Sequence, residues 1–205
     1  MVEMVESAGW KVTPQEHLTR GVPHFFLSMF LPDKLVFFSA SASKPPGKGT
    51  GERVFIDGDY VELARVPHWR RVLSNFHECS FTYRGKRYGT IEHAFQARKI
   101  ELADPAAAAS FALDSGSELA SGDGKAARKA RKLVVLTAAQ LREWDGMKDS
   151  VMAEIAVAKY RACEEARRVL KLTGQAQLWH AAPRMAAVRF KHLERIRAGL
   201  ASSTA

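Results

Sequence analysis

Cysteine is scarce in this chain, with only Cys79 and Cys163 among 205 residues. Two cysteines cannot build a disulfide framework, and neither stands at the spacing of a metal site, so free thiols in a reducing compartment are expected. Long apolar runs are missing as well. The longest, Val22 to Leu31, is interrupted by Pro23, His24 and Ser28, which does not fit a membrane span. The residues before Trp10 include Glu3 and Glu6 and no basic charge, which does not fit a secretory leader. Internal repeats are absent. A cytoplasmic, intracellular protein without membrane contact is expected. Acidic charge is also in deficit, with 22 Asp and Glu against 31 Lys and Arg for a formal net charge of +9. The excess is local: Lys125, Arg128, Lys129, Arg131 and Lys132 form one cluster, and Arg184 to Arg197 another. Such an excess favours phosphate-bearing partners, although a single Lys-Arg run is more often a solvated helix face.

What is present is a 46% hydrophobic chain, enough apolar material for one globular domain with a real core. Leu35 to Phe38 reads as a short strand. Lys44-Pro-Pro-Gly-Lys-Gly-Thr-Gly51 must be a loop; it lacks the phosphate-binding glycine pattern and no helix signal follows, so a flexible connection is the stronger reading. Val54-Phe-Ile56 and an Asp57-Gly58 turn come next. Phe81 to Tyr83, Arg84-Gly85 and Lys86 to Tyr88 read as a tight hairpin. Thr90 is expected to cap a helix in which Ile91, Ala94, Phe95 and Leu102 face the core, while Glu92, Gln96 and Lys99 share an adjacent stripe. Asp104-Pro105 starts an alanine-rich helix that stops near Asp114-Ser-Gly116. Thr137 and Gln140 fit a capping box, with a longer helix expected after Trp144-Asp145-Gly146. Glu164 to Leu172 reads as a helix closed by Thr173-Gly174. Leu178 to His180 reads as an extended piece, Pro183 as a break, and Phe190 to Leu200 as a last, basic helix.

Two blocks carry a resemblance. Ser74-Asn75-Phe76, the Gly85 turn and Glu92-His93-Ala94-Phe95-Gln96-Ala97-Arg98-Lys99 resemble the pattern of the YbiA-like, or NADAR, family. A second block agrees in register: Trp144 stands eight residues before Met152, Ala158-Lys159-Tyr160 is similar to the family's Ala-Lys-Phe, and Leu170 to Gly174 with Leu178 continue it. Together they cover most of residues 72 to 197. The resemblance implies a mainly α fold, a YbiA-like helical bundle with a few short β-strands near the N-terminal half. One domain is expected over residues 34–200, with an insert at 39–71, an N-terminal extension at 1–33 and a disordered tail at 201–205.

The resemblance further implies N-glycosidase chemistry with no metal or cofactor. The expected substrate is a phosphorylated ribosyl or ADP-ribosyl small molecule bonded to nitrogen, with ADP-ribosylated nucleic acid as a further partner class. The family's active-site Glu and Trp carry over to Glu92 and Trp144. Bacterial members typically follow Leu-Val-Glu with Asp-x-x-Trp-Gly-x-Gly, whereas this chain has Leu178-Trp179-His180-Ala-Ala-Pro183-Arg184, so a carboxylate of the family pattern is missing. The stretch from Ser39 to Arg71, with Phe111 to Glu118, is similar to a longer branch of eukaryotic and large-virus sequences.

Breaking an N-glycosidic bond builds positive charge on the anomeric carbon and ring oxygen, and one ionised carboxylate can both stabilise it and position a water. Glu92, in the first turn after Thr90, is expected in its charged form because the helix dipole and free N–H groups favour it; otherwise it is simply a good helix residue. Asn75, beside Ser74, offers a donor and an acceptor, and Phe76 a stacking face or a core side chain. His93 orients the glutamate, donates to substrate, or is structural, since neighbours in a helix point about 100° apart. Gln96 shares the stripe of Glu92, and Lys99 grips a phosphate, pairs with an acid or lies on the surface. Trp144 reaches the cleft from a loop and stacks on the base, or packs. His180 binds phosphate, protonates the leaving nitrogen, or is a partly buried structural histidine. If the missing carboxylate is indispensable, the chain is instead a catalytically weak relative that binds nucleotides or nucleic acid through its basic segments.

Overall fold

Five helices of this chain begin where a hydroxyl or carboxylate side chain, of Thr90, Asp104, Ser117, Asp123 or Thr137, accepts one or two of the first free backbone N–H groups. The computed structural model describes residues 31–37, 41–56, 58–182 and 185–202. Its elements run β1 (Lys34–Phe37), α1 (Val61–Ala64), α2 (Trp69–Val72), β2 (Phe81–Tyr83), β3 (Lys86–Tyr88), α3 (Ile91–Ile100), α4 (Pro105–Ala109), α5 (Glu118–Ser121), α6 (Gly124–Lys129), α7 (Ala138–Ala162), α8 (Glu164–Leu172), β4 (Gln177–His180), β5 (Val188–Arg189) and α9 (Lys191–Ser202). Single 3-10 turns lie at Leu113–Ser115 and Ala130–Lys132. The fold is mainly α, as expected. The readings made for residues 1–30, for Phe38 to Ala40, for Asp57, for Pro183 and Arg184, and for 203–205 lie outside the described residues.

Thr90 Oγ1 accepts from the His93 N–H, Asp104 from Ala106 and Ala107 with Pro105 in the first turn, and Thr137 forms a reciprocal box with Gln140. The hairpin also forms as expected, pairing Phe81 with Tyr88 across a turn in which Arg84 and Gly85 both take positive φ. Two helix bounds differ from expectation. The alanine-rich helix ends at Ala109, and the chain reaches the left-handed Gly116 through the 3-10 turn instead. The long helix does not wait for Gly146. It starts at the Thr137 cap and runs 25 residues, roughly 37 Å, through Trp144-Asp145-Gly146. Gly146 is exposed with open space around its Cβ position, so it costs the helix only about 1 kcal/mol of propensity.

Buried residues of α7, Val151, Ile155 and Tyr160, join Ile91, Ala94 and Ile100 of α3 in one core. A three-stranded sheet closes one end. β1 and β4 run parallel with Leu35 opposite Leu178 and Phe37 opposite His180, and β5 adds antiparallel to β4. The extended piece expected at Leu178 to His180 is therefore a central strand, and the sheet joins both ends of the described chain. Among the described residues no helix is long and apolar enough to cross a membrane.

The expectation of free thiols is corrected: Cys79 and Cys163 are joined as a disulfide, with Cα atoms 6.1 Å apart. Their separation of 84 residues hid the pairing, which exists because the junction of α7 and α8 meets the segment leading into β2.

The glycine-rich loop is not a phosphate cradle. Its Gly47 and Gly49 N–H groups donate to Glu52 Oε2 at 2.9 and 3.0 Å, and the Val36 N–H donates to Oε1 at 3.0 Å. Arg70 completes the arrangement, its Nε and Nη2 donating to Glu52 at 2.9 and 2.7 Å and its guanidinium also reaching the carbonyls of Ser41, Lys44 and Pro45. Both side chains are buried. A Cβ on residue 49 would stand 2.7 Å from the Glu52 carboxyl carbon, so glycine is needed there. This pair fastens the loop and β1 to α2, immediately before the Ser74 triplet. Glu52→Gln is expected to lower unfolding free energy by about 3–5 kcal/mol, because it leaves the buried Arg70 charge uncompensated. Urea denaturation measures it, and a loss within about 0.5 kcal/mol, the range of an ordinary surface substitution, would show that the pair does not anchor the loop.

Candidate functional site

A cavity of about 540 Å³ opens where α3, the Ser74 to Phe76 segment, α6 with its following 3-10 turn, α7 and the β4–β5 end converge. Its volume lies in the range of small-molecule sites. From α3 it receives Glu92, Phe95, Gln96 and Lys99, the stripe anticipated from spacing, although Phe95 turns to the cavity rather than wholly to the core. Ser74, Asn75, Phe76, Trp144 and His180 also line it.

His93 is not among the lining residues. It is fully buried, with Nδ1 2.8 Å from Thr90 Oγ1 and Nε2 3.1 Å from the Leu119 carbonyl. The carbonyl requires Nε2–H as donor, which leaves Nδ1 to accept from the Thr90 hydroxyl. Burial also holds its pKa below the ordinary imidazole value, so His93 is a neutral brace between α3 and α5.

Glu92 is held in place from both ends. Its backbone N–H donates to the Asn75 carbonyl at 3.1 Å, and its Oε1 accepts from Gln96 Nε2 at 2.8 Å, one helical turn on. The residue is 8% exposed. Burial raises its pKa above the ordinary carboxylate value; the Gln96 hydrogen bond and the charges of Arg128 and Arg131 oppose the rise. The first-turn position alone points to a lowered pKa, whereas burial, the largest influence here, raises it.

Trp144 is 5% exposed and projects from within α7, not from a loop, with its ring 4.8 Å from Phe95 in an edge contact. Asn75 is tethered by its Nδ2–H to the Met152 sulfur at 3.6 Å. Phe76 packs against the start of α6, where a Cβ on Gly124 would come within 2.9 Å of it. His180, at the end of β4, stacks on Phe190 with ring centres 5.1 Å apart; burial first, and then Arg128, lower its pKa.

Arg71, Arg128, Arg131, Phe37 and Phe190 line the cavity but were not singled out as site residues from the sequence. The two arginines of α6 and its 3-10 turn sit in the run read as a solvated face. Their signal was the alternation with alanine: Ala127 is fully buried, so the segment has a packed side, and Arg128 and Arg131 flank it. Among the described residues no carboxylate pairs with Arg71, Lys99, Arg128 or Arg131. Among the described residues, Glu92 is the single acidic side chain lining the cavity. Among the described residues no cluster of His, Cys, Asp and Glu is suited to a metal ion.

The carboxyl carbon of Glu92, followed by NMR, is expected to titrate with a midpoint above 4.5, and Arg128→Gln with Arg131→Gln is expected to raise it further. An unchanged midpoint in the double variant would remove the two arginines from the electrostatics of Glu92.

The NADAR domain model matches residues 65–187. Among solved structures, the NMR structure of the E. coli protein YbiA is similar at 25% identity, over 65% of this chain and 79% of that one, with a TM-score of 0.49. No curated protein matches the chain. The matched segment contains the Ser74 triplet, all of α3 and the whole of α7, more than half of the 205 residues. The chain therefore belongs to the NADAR family, which is generally associated with N-glycosidase activity.

Proposed function

We propose that this protein hydrolyses the N-glycosidic bond of a phosphorylated ribosyl or ADP-ribosyl compound, with Glu92 as base and electrostatic stabiliser. The observation that carries the reading is the charge pattern of the cavity: one sheltered carboxylate beside Arg71, Lys99, Arg128 and Arg131, none of which forms an ion pair with a carboxylate of the described residues. The cations suit a phosphate-bearing ligand, and the carboxylate suits the positive charge that develops at its anomeric carbon. Burial makes Glu92 a stronger base, while Arg128 and Arg131 help to keep it ionised near neutrality.

In this reaction water adds to the anomeric carbon as the carbon–nitrogen bond breaks. The bonding pair leaves with the nitrogen, and Glu92 takes a proton from the water. Trp144 and Phe76 offer flat faces to the base. Among the described residues no second carboxylate lines the cavity, so the two-carboxylate scheme of most O-glycosidases does not fit. A nitrogen base that spreads the departing charge over a ring leaves more readily without a carboxylic acid beside it. His180, kept neutral by burial and by Arg128, contributes an uncharged imidazole rather than the cation considered from the sequence.

Incubation with ADP-ribosylated guanine and with ribosylaminopyrimidine phosphates, read by mass spectrometry, is expected to yield free base or amine. Glu92→Gln should fold normally and lose about 10²–10³-fold in turnover. Turnover within a few-fold of the wild type would strip Glu92 of the role.

A basic shelf favours a second reading, nucleic-acid binding. Lys125, Arg128, Lys129, Arg131 and Lys132 line a space of about 340 Å³ with Phe76, beside the cavity and sharing Phe76, Arg128 and Arg131 with it. Cations beside an aromatic face are the usual means of holding a single strand. Affinity for an oligoribonucleotide should fall steeply with salt, and the combined change of Lys125, Lys129 and Lys132 to Gln should flatten the log–log slope by about 2, at roughly 0.7 for each phosphate no longer neutralised. Absence of binding at low salt, or an unaltered slope, rejects this reading and leaves hydrolysis of a small ligand untouched.

A further inference from the structure

Lys159 is fully buried, yet it lines no part of the cavity. Its Nζ donates to the Ser74 carbonyl at 3.1 Å, and among the described residues no carboxylate stands at ion-pair distance from it. A lysine head taken out of water with one acceptor is costly, and a methionine would fill a similar volume without that penalty. The Ser74 carbonyl and the Asn75 carbonyl are consecutive: the first is bound by Lys159 from α7, the second by the backbone N–H of Glu92 from α3. Neighbouring peptide planes share one α-carbon, so freeing the first carbonyl lets the second rotate.

We propose that Lys159 is a positioning residue of the site: it pins the Ser74–Asn75 turn to α7 and, through the Asn75–Glu92 backbone bond, sets where the Glu92 carboxylate stands. The inference rests on the reading of Glu92 as the reactive carboxylate. Three titratable side chains stand around Lys159: His77 of the same segment as Ser74 and Glu165 of α8, which lie 3.3 Å from each other, and the neighbouring Tyr160 of α7, whose buried ring centre lies 5.8 Å from Nζ and whose own pKa burial raises. Burial brings the Lys159 pKa down to about 7, with Glu165 opposing. A charged donor makes the stronger bond, so the grip on Ser74 is firmest below that pH. Because the folded value lies below the ordinary 10.5, the unfolded chain binds a proton that the folded one lacks between the two. Lys159 therefore makes stability rise with pH across that window.

The test compares the wild type with Lys159→Met and does not depend on activity alone. In the folded variant the Glu92 amide should exchange with solvent about tenfold faster, while amides at the centre of α7 keep their rates. On a hydrolysed substrate, kcat should fall about tenfold with KM unchanged, as expected for a misplaced reacting group. The rise of melting temperature with pH above 7 should also flatten. If Lys159→Met does not fold, amide shifts decide: those of Asn75 and Glu92 should inflect near pH 7 in the wild type, and the inflection should persist in His77→Gln. Unchanged Glu92 exchange in a folded variant, or no such inflection, overturns the proposal. A wild type that cleaves no ribosyl compound refutes the catalytic reading instead, and the amide measurements still judge the positioning.

Discussion

A carboxylate kept from water is the constraint from which the rest of this site follows. Glu92 has one side-chain donor, Gln96, and its remaining support comes from the field of Arg128 and Arg131. A group so sparsely compensated stays in place only where the surrounding backbone cannot yield. The beginning of α3 meets that demand through several bonds at once: the Thr90 cap, the Asn75 carbonyl on the Glu92 N–H, and the His93 brace to Leu119. The arginines that steady the carboxylate must also remain free of closer acids, and the excess of basic over acidic residues makes such acids scarce.

The interactions legible in the sequence are the local ones. A cap acts over three residues and a hairpin turn over two, so Thr90, Asp104, Thr137 and Arg84-Gly85 announced their elements. The α3 stripe was equally readable, since helical spacing alone places Glu92, Gln96 and Lys99 together. Long-range partnerships left no such mark. Glu52 and Arg70 meet across 18 residues, the two cysteines across 84, and Lys159 and Ser74 across 85. Trp144 illustrates a competition between local signals: Asp145-Gly146 suggested a break, but the capping box upstream and the packed residues downstream carried the helix through it. The pKa of Glu92 failed to follow from its position for a related reason, since burial depends on what packs over the helix rather than on the helix itself.

The walls of the cavity differ in character, and the difference follows from which elements supply them. α3, α6 and its 3-10 turn bring Lys99, Arg128 and Arg131, on helices whose long side chains can reach inward from an exposed face. The sheet brings Phe37 and His180, and the residue after β5 brings Phe190; the pairing of β1 with β4 and the ring contacts that link the three fix them. That side carries no ordinary positive charge, because burial keeps the imidazole neutral. On the proposed reading, a ligand that joins a phosphate to a flat base would meet the cations together with Trp144 and Phe76 on the helical side, facing an uncharged aromatic wall from the sheet end. Glu92 belongs to the helical wall, and among the described residues it is the one acid there. On the proposed reading, phosphates drawn to the cations would bring the attached ribose to the same side, so the charge that forms on the sugar would form near Glu92, the one acidic side chain among the described residues lining the cavity.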